Sequence, residues 1–149
     1  MKTDIIRPAK YNGVALKDYG VDRNTGDIYS FKRGGCRKLT PGPRNPKNST
    51  DSYMCVQFID KEAFPNHSRY SLTIDVHVIV QETLRDCPKP PAITDDIWSK
   101  TDQTVKDICR GLWMVNHIDH KKKNFNPTNL EWVFGAVENA QKAKAFYSR

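Results

Sequence analysis

The chain has 149 residues, of which 38% are apolar, 10% aromatic and 28% charged, the profile of one globular domain and not of a disordered chain. Lys and Arg outnumber Asp and Glu by 24 to 17, and the surplus sits at the two ends: residues 1–50 carry eleven basic and four acidic side chains, residues 51–100 five and eight, and residues 101–149 eight and five. A polyanion such as nucleic acid suits that distribution, with a solvated basic face as the alternative, while the lack of a long apolar run or a secretory leader predicts no membrane span and a cytoplasmic protein.

Residues 1–18 show no firm period and are expected to form an irregular arm. The segment from Tyr19 to Phe31 alternates apolar and polar residues around Asn24-Thr25-Gly26-Asp27, which predicts a short β-hairpin. Its second strand runs toward Lys32, Arg33, Arg37 and Lys38. Three prolines in residues 41–50 predict a surface loop that does not pack. Tyr53–Ile59 reads as a third strand that Ser71–Val76 pairs with. Val76, Ile79, Val80 and Leu84 then recur at helical spacing, predicting a helix over about 75–85 that stops before Pro88. Thr94-Asp95-Asp96 suits the cap of a short helix near Ile97, and residues 101–111 suit another turn or two. Trp113-Met114-Val115 is a short apolar strand. Cys36, Cys55, Cys87 and Cys109 form no Cys-x-x-Cys pair, so free thiols in a reducing compartment are expected over a zinc-stabilised module.

The next segment carries the chemistry. Between Val115 and Val133 a polar loop dense in His, Asp, Asn and Lys joins two apolar strands, and a helix is expected to follow, with Ala136, Ala140, Ala143 and Tyr147 near one face. Strand, loop, strand and helix make a ββα unit that can bring Asn116 and His117 opposite Glu138 or Asn139 around one ion. Oxygen donors for a hard cation, an imidazole to take a proton from water and nearby positive charge are what metal-assisted phosphodiester hydrolysis requires. Trp113 and Trp132 read as core residues, His77 as a packing residue of the helix, and Asp119 as a turn former.

Val115-Asn116-His117-Ile118-Asp119, Asn124, Asn129-Leu130-Glu131-Trp132-Val133 and Glu138-Asn139 together resemble the HNH motif of phage and intron homing endonucleases. Tyr19-Gly20-Val21, Gly26-Asp27-Ile28-Tyr29-Ser30, Leu39 and Val76-His77-Val78-Ile79-Val80 resemble the amino-terminal module often joined to it. The resemblance implies an α+β protein in which an antiparallel β module packs on a ββα-metal (His-Me finger) nuclease unit. It implies His117 as general base and Asn129 as the central Asn that braces the loop. It implies Asn116 as a metal ligand where many relatives have Asp, with Asn139 or Glu138 as the second ligand. The motif's spacing points to Glu138 and residue type favours Asn139. His120 stands where relatives usually carry Gly, and Val78 where they carry Arg.

The expected organisation is an arm (1–18), a β-rich DNA-binding module with a helix (19–86), a linker with short helices (87–111) and the nuclease motif (112–149). The expected activity is nicking or cutting of double-stranded DNA with Mg²⁺ or Mn²⁺, leaving 5′-phosphate and 3′-hydroxyl ends. No organic cofactor and no membrane are expected, and the protein is expected to be a monomer or weak dimer. Lys121, Lys122 and Lys123 on the loop, with Arg23, Lys32, Arg33, Arg37 and Lys38 by the hairpin, are the expected DNA contacts. No helix-turn-helix extension follows the motif, so sequence recognition shorter than that of many relatives is expected. A DNA-binding protein of the same fold with weak or lost cleavage is the alternative.

Overall fold

The computed structural model describes residues 5–135. Four strands, β1 (Ile6–Tyr11), β2 (Val14–Asp22), β3 (Ile28–Ser30) and β4 (Arg37–Lys38), form an antiparallel sheet in the order β1-β2-β3-β4. The β2–β3 turn is the hairpin predicted from sequence: Gly26 closes it with φ +78°, and its N–H donates to the Asp22 carbonyl. The arm expected over residues 1–18 is a misreading where residues 6–11 and 14–18 are concerned. They belong to β1 and the start of β2: Lys10 and Tyr11 pair with Ala15 and Val14, Ile6 to Pro8 pair with Asp22 to Gly20, and the register shift between Pro8 and Lys10 erases the simple alternation that would mark a strand.

A second antiparallel sheet, ordered β5-β6-β7, follows from β5 (Gly42–Pro43), β6 (Met54–Ile59) and β7 (Ser71–Asp75). Residues 44–50 are exposed, as the prolines predict, but residues 42–43 pair with β6 as β5, and Arg44 donates from Nε to the Asp75 carboxylate and from Nη2 to the Thr73 carbonyl at 3.2 Å. Prolines on an edge strand lose no ladder bond they would otherwise make. Tyr19 joins the two sheets: its ring meets Phe58 edge-on at 4.9 Å, and its hydroxyl accepts from the Ile59 N–H at 2.9 Å.

Helix α1 (Val76–Leu84) follows β7 directly and buries Val76, Ile79 and Val80 against β1 and β6. They share one core with Ala9, Leu16, Val21, Ile28, Phe58 and Ile74, and Leu130 of the last strand joins it. Removing these apolar side chains from water contributes most of the free energy that holds the element pairs together. Two short helices come next, α2 (Asp95–Ser99) and α3 (Gln103–Cys109), capped by the side chains of Thr94 and Asp102. Strands β8 (Trp113–His117) and β9 (Leu130–Phe134) then pair antiparallel, with His117 opposite Leu130 and Asn116 opposite Glu131. The result is a mixed helix and antiparallel-sheet fold. No described helix is long and apolar enough to cross a membrane.

Candidate nuclease site

The β8–β9 hairpin has two faces. Trp113, Val115 and His117 share a face with Leu130, Trp132 and Phe134, whereas Asn116 and Glu131 share the other. The first face lies against α1, which contacts both strands. His117 is therefore carried inward at the end of β8, where only 4% of it is exposed.

Three aromatic rings from three separate segments meet there. The His77 ring, on the first turn of α1, lies 4.5 Å from that of His117, and Tyr53, just before β6, stacks on both at 4.7 Å and 5.7 Å. His77 Nδ1 and His117 Nε2 are each buried and have no hydrogen-bond partner among the described residues. Burial pushes the His77 imidazole down to about 4, with His117 adding to the effect. Burial also lowers His117 below the ordinary histidine value, opposed by Asp119 and Asp75. Burial thus favours the neutral form of both rings, the form in which an imidazole can accept a proton. Lys122 sits 5.0 Å above the Tyr53 ring and pairs with Asp51 at 3.3 Å.

Asn129 is buried at the end of a 3₁₀ turn (Pro127–Asn129) and its amide spans the loop. Nδ2 donates to Asp119 Oδ1 and to the Asn124 carbonyl, both at 2.9 Å, and Oδ1 accepts from the Asp119 N–H at 3.1 Å. The Asn129 carbonyl accepts from the Ile118 N–H at 2.8 Å, which fixes the residue after His117. Asp119 forms the turn read from sequence, accepting from the Lys121 N–H at 2.8 Å, and binds the Asn124 amide at 2.8 Å as well. Those two donors, with Asn129, hold its carboxyl at about 2. His120 has φ +62°, the left-handed conformation that favours glycine.

The amino-terminal sheets and α1 hold this loop from outside. Arg85, at the end of α1, donates to the Pro127 carbonyl at 2.8 Å, and Asn126 donates to the Asn24 carbonyl of the β2–β3 turn at 3.3 Å. A Cβ on Gly26 would lie 2.5 Å from the Phe125 carbonyl oxygen, so the turn approaches the loop as closely as only glycine permits.

Asn116 Nδ2 donates to Glu131 Oε1 at 2.9 Å, which turns the amide so that Oδ1 is free of that bond. A hard divalent cation prefers such an oxygen, with Glu131 adjacent. Glu138 and Asn139 lie outside the described residues, as does the helix expected to carry them. No group of three His, Cys, Asp or Glu side chains capable of holding a metal occurs among the described residues, and all four cysteines are free.

The basic residues separate into two sets. Lys121 and Lys123 are exposed on the loop and Lys122 is half-buried through Tyr53 and Asp51. Arg33, Arg37 and Lys38 are exposed toward the open edge of the first sheet, where Lys38 pairs with Asp27 at 3.3 Å. Lys32 lies over the Tyr19 ring at 5.1 Å, and Arg23 is exposed beside the β2–β3 turn. Trp113 and Trp132 are only half-buried and join no core cluster, a correction to their reading as core, although both indole nitrogens are buried and unpaired. Tyr53, Asp51 and the partnership of His77 with His117 carry no sequence signal, since nothing local announces that segments so far apart converge.

No protein-family model matches the chain, and no curated protein sequence does. Among solved structures, the chain is similar to one described as DNA binding and cleavage by the HNH homing endonuclease I-HmuI, with a TM-score of 0.51 and 22% identity over 87% of this chain. The match covers 53% of that protein, so the chain spans about half its length. The likeness is one of fold, in a mixed helix and antiparallel-sheet architecture like that of an HNH endonuclease.

Proposed function

We propose that the chain is a divalent-metal-dependent endonuclease of the HNH kind that nicks or cleaves double-stranded DNA. The observation that carries this reading is His117, an imidazole at the end of β8 at the start of a loop braced by Asn129, with Asn116 and Glu131 bonded to each other on the other face of the hairpin. The fold likeness to an HNH homing endonuclease supports it.

In this reading His117 takes a proton from the water that attacks the scissile phosphate, a contribution of about 10²–10⁴-fold for a positioned general base. Asn129 keeps the β8 end in register by locking Asp119 and Asn124. Lys121, Lys122 and Lys123 meet phosphates of the bound strand, and the basic edge formed by Arg33, Arg37 and Lys38 extends the contact. Asn116, with Asn139 or Glu138, would hold a Mg²⁺ or Mn²⁺ ion, which would supply charge stabilisation at the leaving oxygen. The ββα-metal unit, with its closing helix in the carboxy-terminal segment, belongs to this proposal.

Conversion of supercoiled plasmid to nicked or linear forms in Mg²⁺ tests it, with wild type and His117→Ala compared at matched DNA occupancy. Loss of at least a hundredfold in rate with unchanged affinity is expected. The near-complete burial of His117 favours a second reading, a DNA-binding protein of this fold with weak or lost cleavage. Tight, salt-sensitive binding without any nicking in Mg²⁺ or Mn²⁺ would select it.

A further inference from the structure

Three arginines that belong to three different segments line one open cavity of about 310 Å³: Arg7 on β1, Arg23 just past β2 and Arg85 just past α1. Thr83, Leu84 and Pro127 complete the lining, and among the described residues no carboxylate faces it or pairs with any of the three guanidiniums. Like charges converging on one opening repel each other, and desolvating any of them without an anion raises that cost. Arg85 is the fixed member. It donates from Nη1 to Gln81 Oε1 and from Nη2 to the Pro127 carbonyl, which leaves three of its five N–H groups unassigned. Arg7 and Arg23 are exposed and reach the same space from strand ends that the β1–β2 pairing holds together.

We propose that Arg7, Arg23 and Arg85 form a single pocket for one phosphate group of the DNA backbone. The inference rests on the DNA-binding reading given above and adds two residues, Arg7 and Arg85, to its contacts. A phosphodiester offers two anionic oxygens to planar donors, the geometry that guanidinium forks match and ammonium groups do not. The pocket also has a mechanical link to the nuclease loop. Arg85 grips the turn that carries Asn129, so a phosphate seated there reads the position of the strand against the loop that follows His117.

The experiment measures binding of a labelled duplex of about thirty base pairs by fluorescence anisotropy in the absence of divalent cation, over a series of salt concentrations. Wild type is compared with Arg7→Gln, Arg23→Gln, Arg85→Gln and the triple variant. One shared phosphate predicts that each single variant flattens the slope of log K against log salt by about 0.9, and that the triple variant flattens it by no more than that. Affinity at moderate salt falls about tenfold in each. Three independent phosphate contacts would instead give a triple variant three times as affected as the singles, and that result overturns the pocket. Unchanged slopes in Arg7→Gln and Arg23→Gln overturn it too, even where Arg85→Gln is lost to misfolding. Thermal unfolding in inorganic phosphate, run on wild type and the triple variant, separates the two sources of the anion. A rise confined to wild type without any change of salt slope assigns the pocket to free phosphate and overturns the DNA assignment. Slope changes seen on duplex RNA but not on DNA do the same. Wild type that fails to bind DNA at low salt overturns the nucleic-acid reading itself, an outcome distinct from arginine variants that bind like wild type.

Discussion

Asn129 is the residue on which the geometry of the loop depends most directly, and replacing it by alanine has a magnitude that the structure supplies. Three hydrogen bonds vanish: Nδ2 to Asp119 Oδ1, Nδ2 to the Asn124 carbonyl, and the Asp119 N–H to Oδ1. Each contributes about 1 kcal/mol net, the bond to the exposed Asp119 carboxylate being screened by water, and the Asn129 side chain is nearly buried, so its own loss is little offset by solvent. Asn129→Ala should therefore cost about 3 kcal/mol. For a chain of this size that corresponds to a fall in Tm of about 10 °C. Asn129→Asp keeps the shape but sets a second carboxylate against Asp119, whose own carboxyl is held at about 2, so it should destabilise at least as much at pH 7. The assay is urea unfolding of wild type and both variants, with plasmid nicking measured at a temperature where all three are folded. Nicking should fall in both variants while DNA affinity holds, because the bonds lost fix the residues after His117 and touch none of the exposed lysines. A loss below about 1 kcal/mol in Asn129→Ala, or Asn129→Asp as stable as wild type, would refute the reasoning.

The His77 imidazole, held at about 4 in the folded protein and near 6.5 when unfolded, makes stability depend on pH. The unfolded chain binds the extra proton between those values, so stability is complete above pH 6.5 and declines below it, by about 3 kcal/mol at pH 4. Urea unfolding at pH 7 and pH 4.5 should show most of that difference, and His77→Leu should remove it; a variant with wild-type pH dependence would assign the acid sensitivity elsewhere. His120 occupies a left-handed conformation at φ +62°, so His120→Gly should raise stability by about 0.5–1 kcal/mol, read as a Tm increase of a few degrees. Gly26→Ala should cost at least about 2 kcal/mol, since its Cβ would press on the Phe125 carbonyl and its φ is positive, and hydrogen exchange should quicken in residues 118–129 as well as at the turn. Protection in that loop equal to wild type would show that the turn and the loop are energetically separate.

What was legible in the sequence follows from which signals are local. The β2–β3 hairpin announces itself through alternation around a turn that needs a positive φ, and α1 through Val76, Ile79 and Val80 at helical spacing. The cap at Thr94 depends on one side chain and a backbone N–H three residues on. The Asn129 brace is readable because the whole network lies between residues 118 and 129. Strand β1 escaped because Pro8 and the register shift beside it leave Ala9 as its only buried residue. The pairing of residues 42–43 with β6 escaped because the edge strand is two residues long and its neighbour Arg44 meets Asp75, which sequence does not place beside it. His77 is the most instructive case. Its helical position marks it for burial, yet the ring it meets belongs to a strand forty residues on, and the choice between a packing residue and a neighbour of the candidate base is made by tertiary structure alone.

The loop that carries the candidate chemistry is not held by its own hairpin. Two strands of five residues are at best marginal by themselves in water, and this pair places His117 and Leu130 on an inner face that has meaning only against α1 and the Tyr53 ring. The remaining supports also come from the amino-terminal half: Arg85 on the Pro127 carbonyl, Asn24 accepting from Asn126, and the Gly26 turn against Phe125. Each fixes the loop from a different side, and none can be supplied by residues 112–135. The β-rich half is therefore part of the site's architecture. Under the proposed phosphate pocket, a DNA strand that pulls on Arg23 or Arg85 would act on the same turn and helix end that set the position of Asn129, which would couple binding to loop geometry through these contacts.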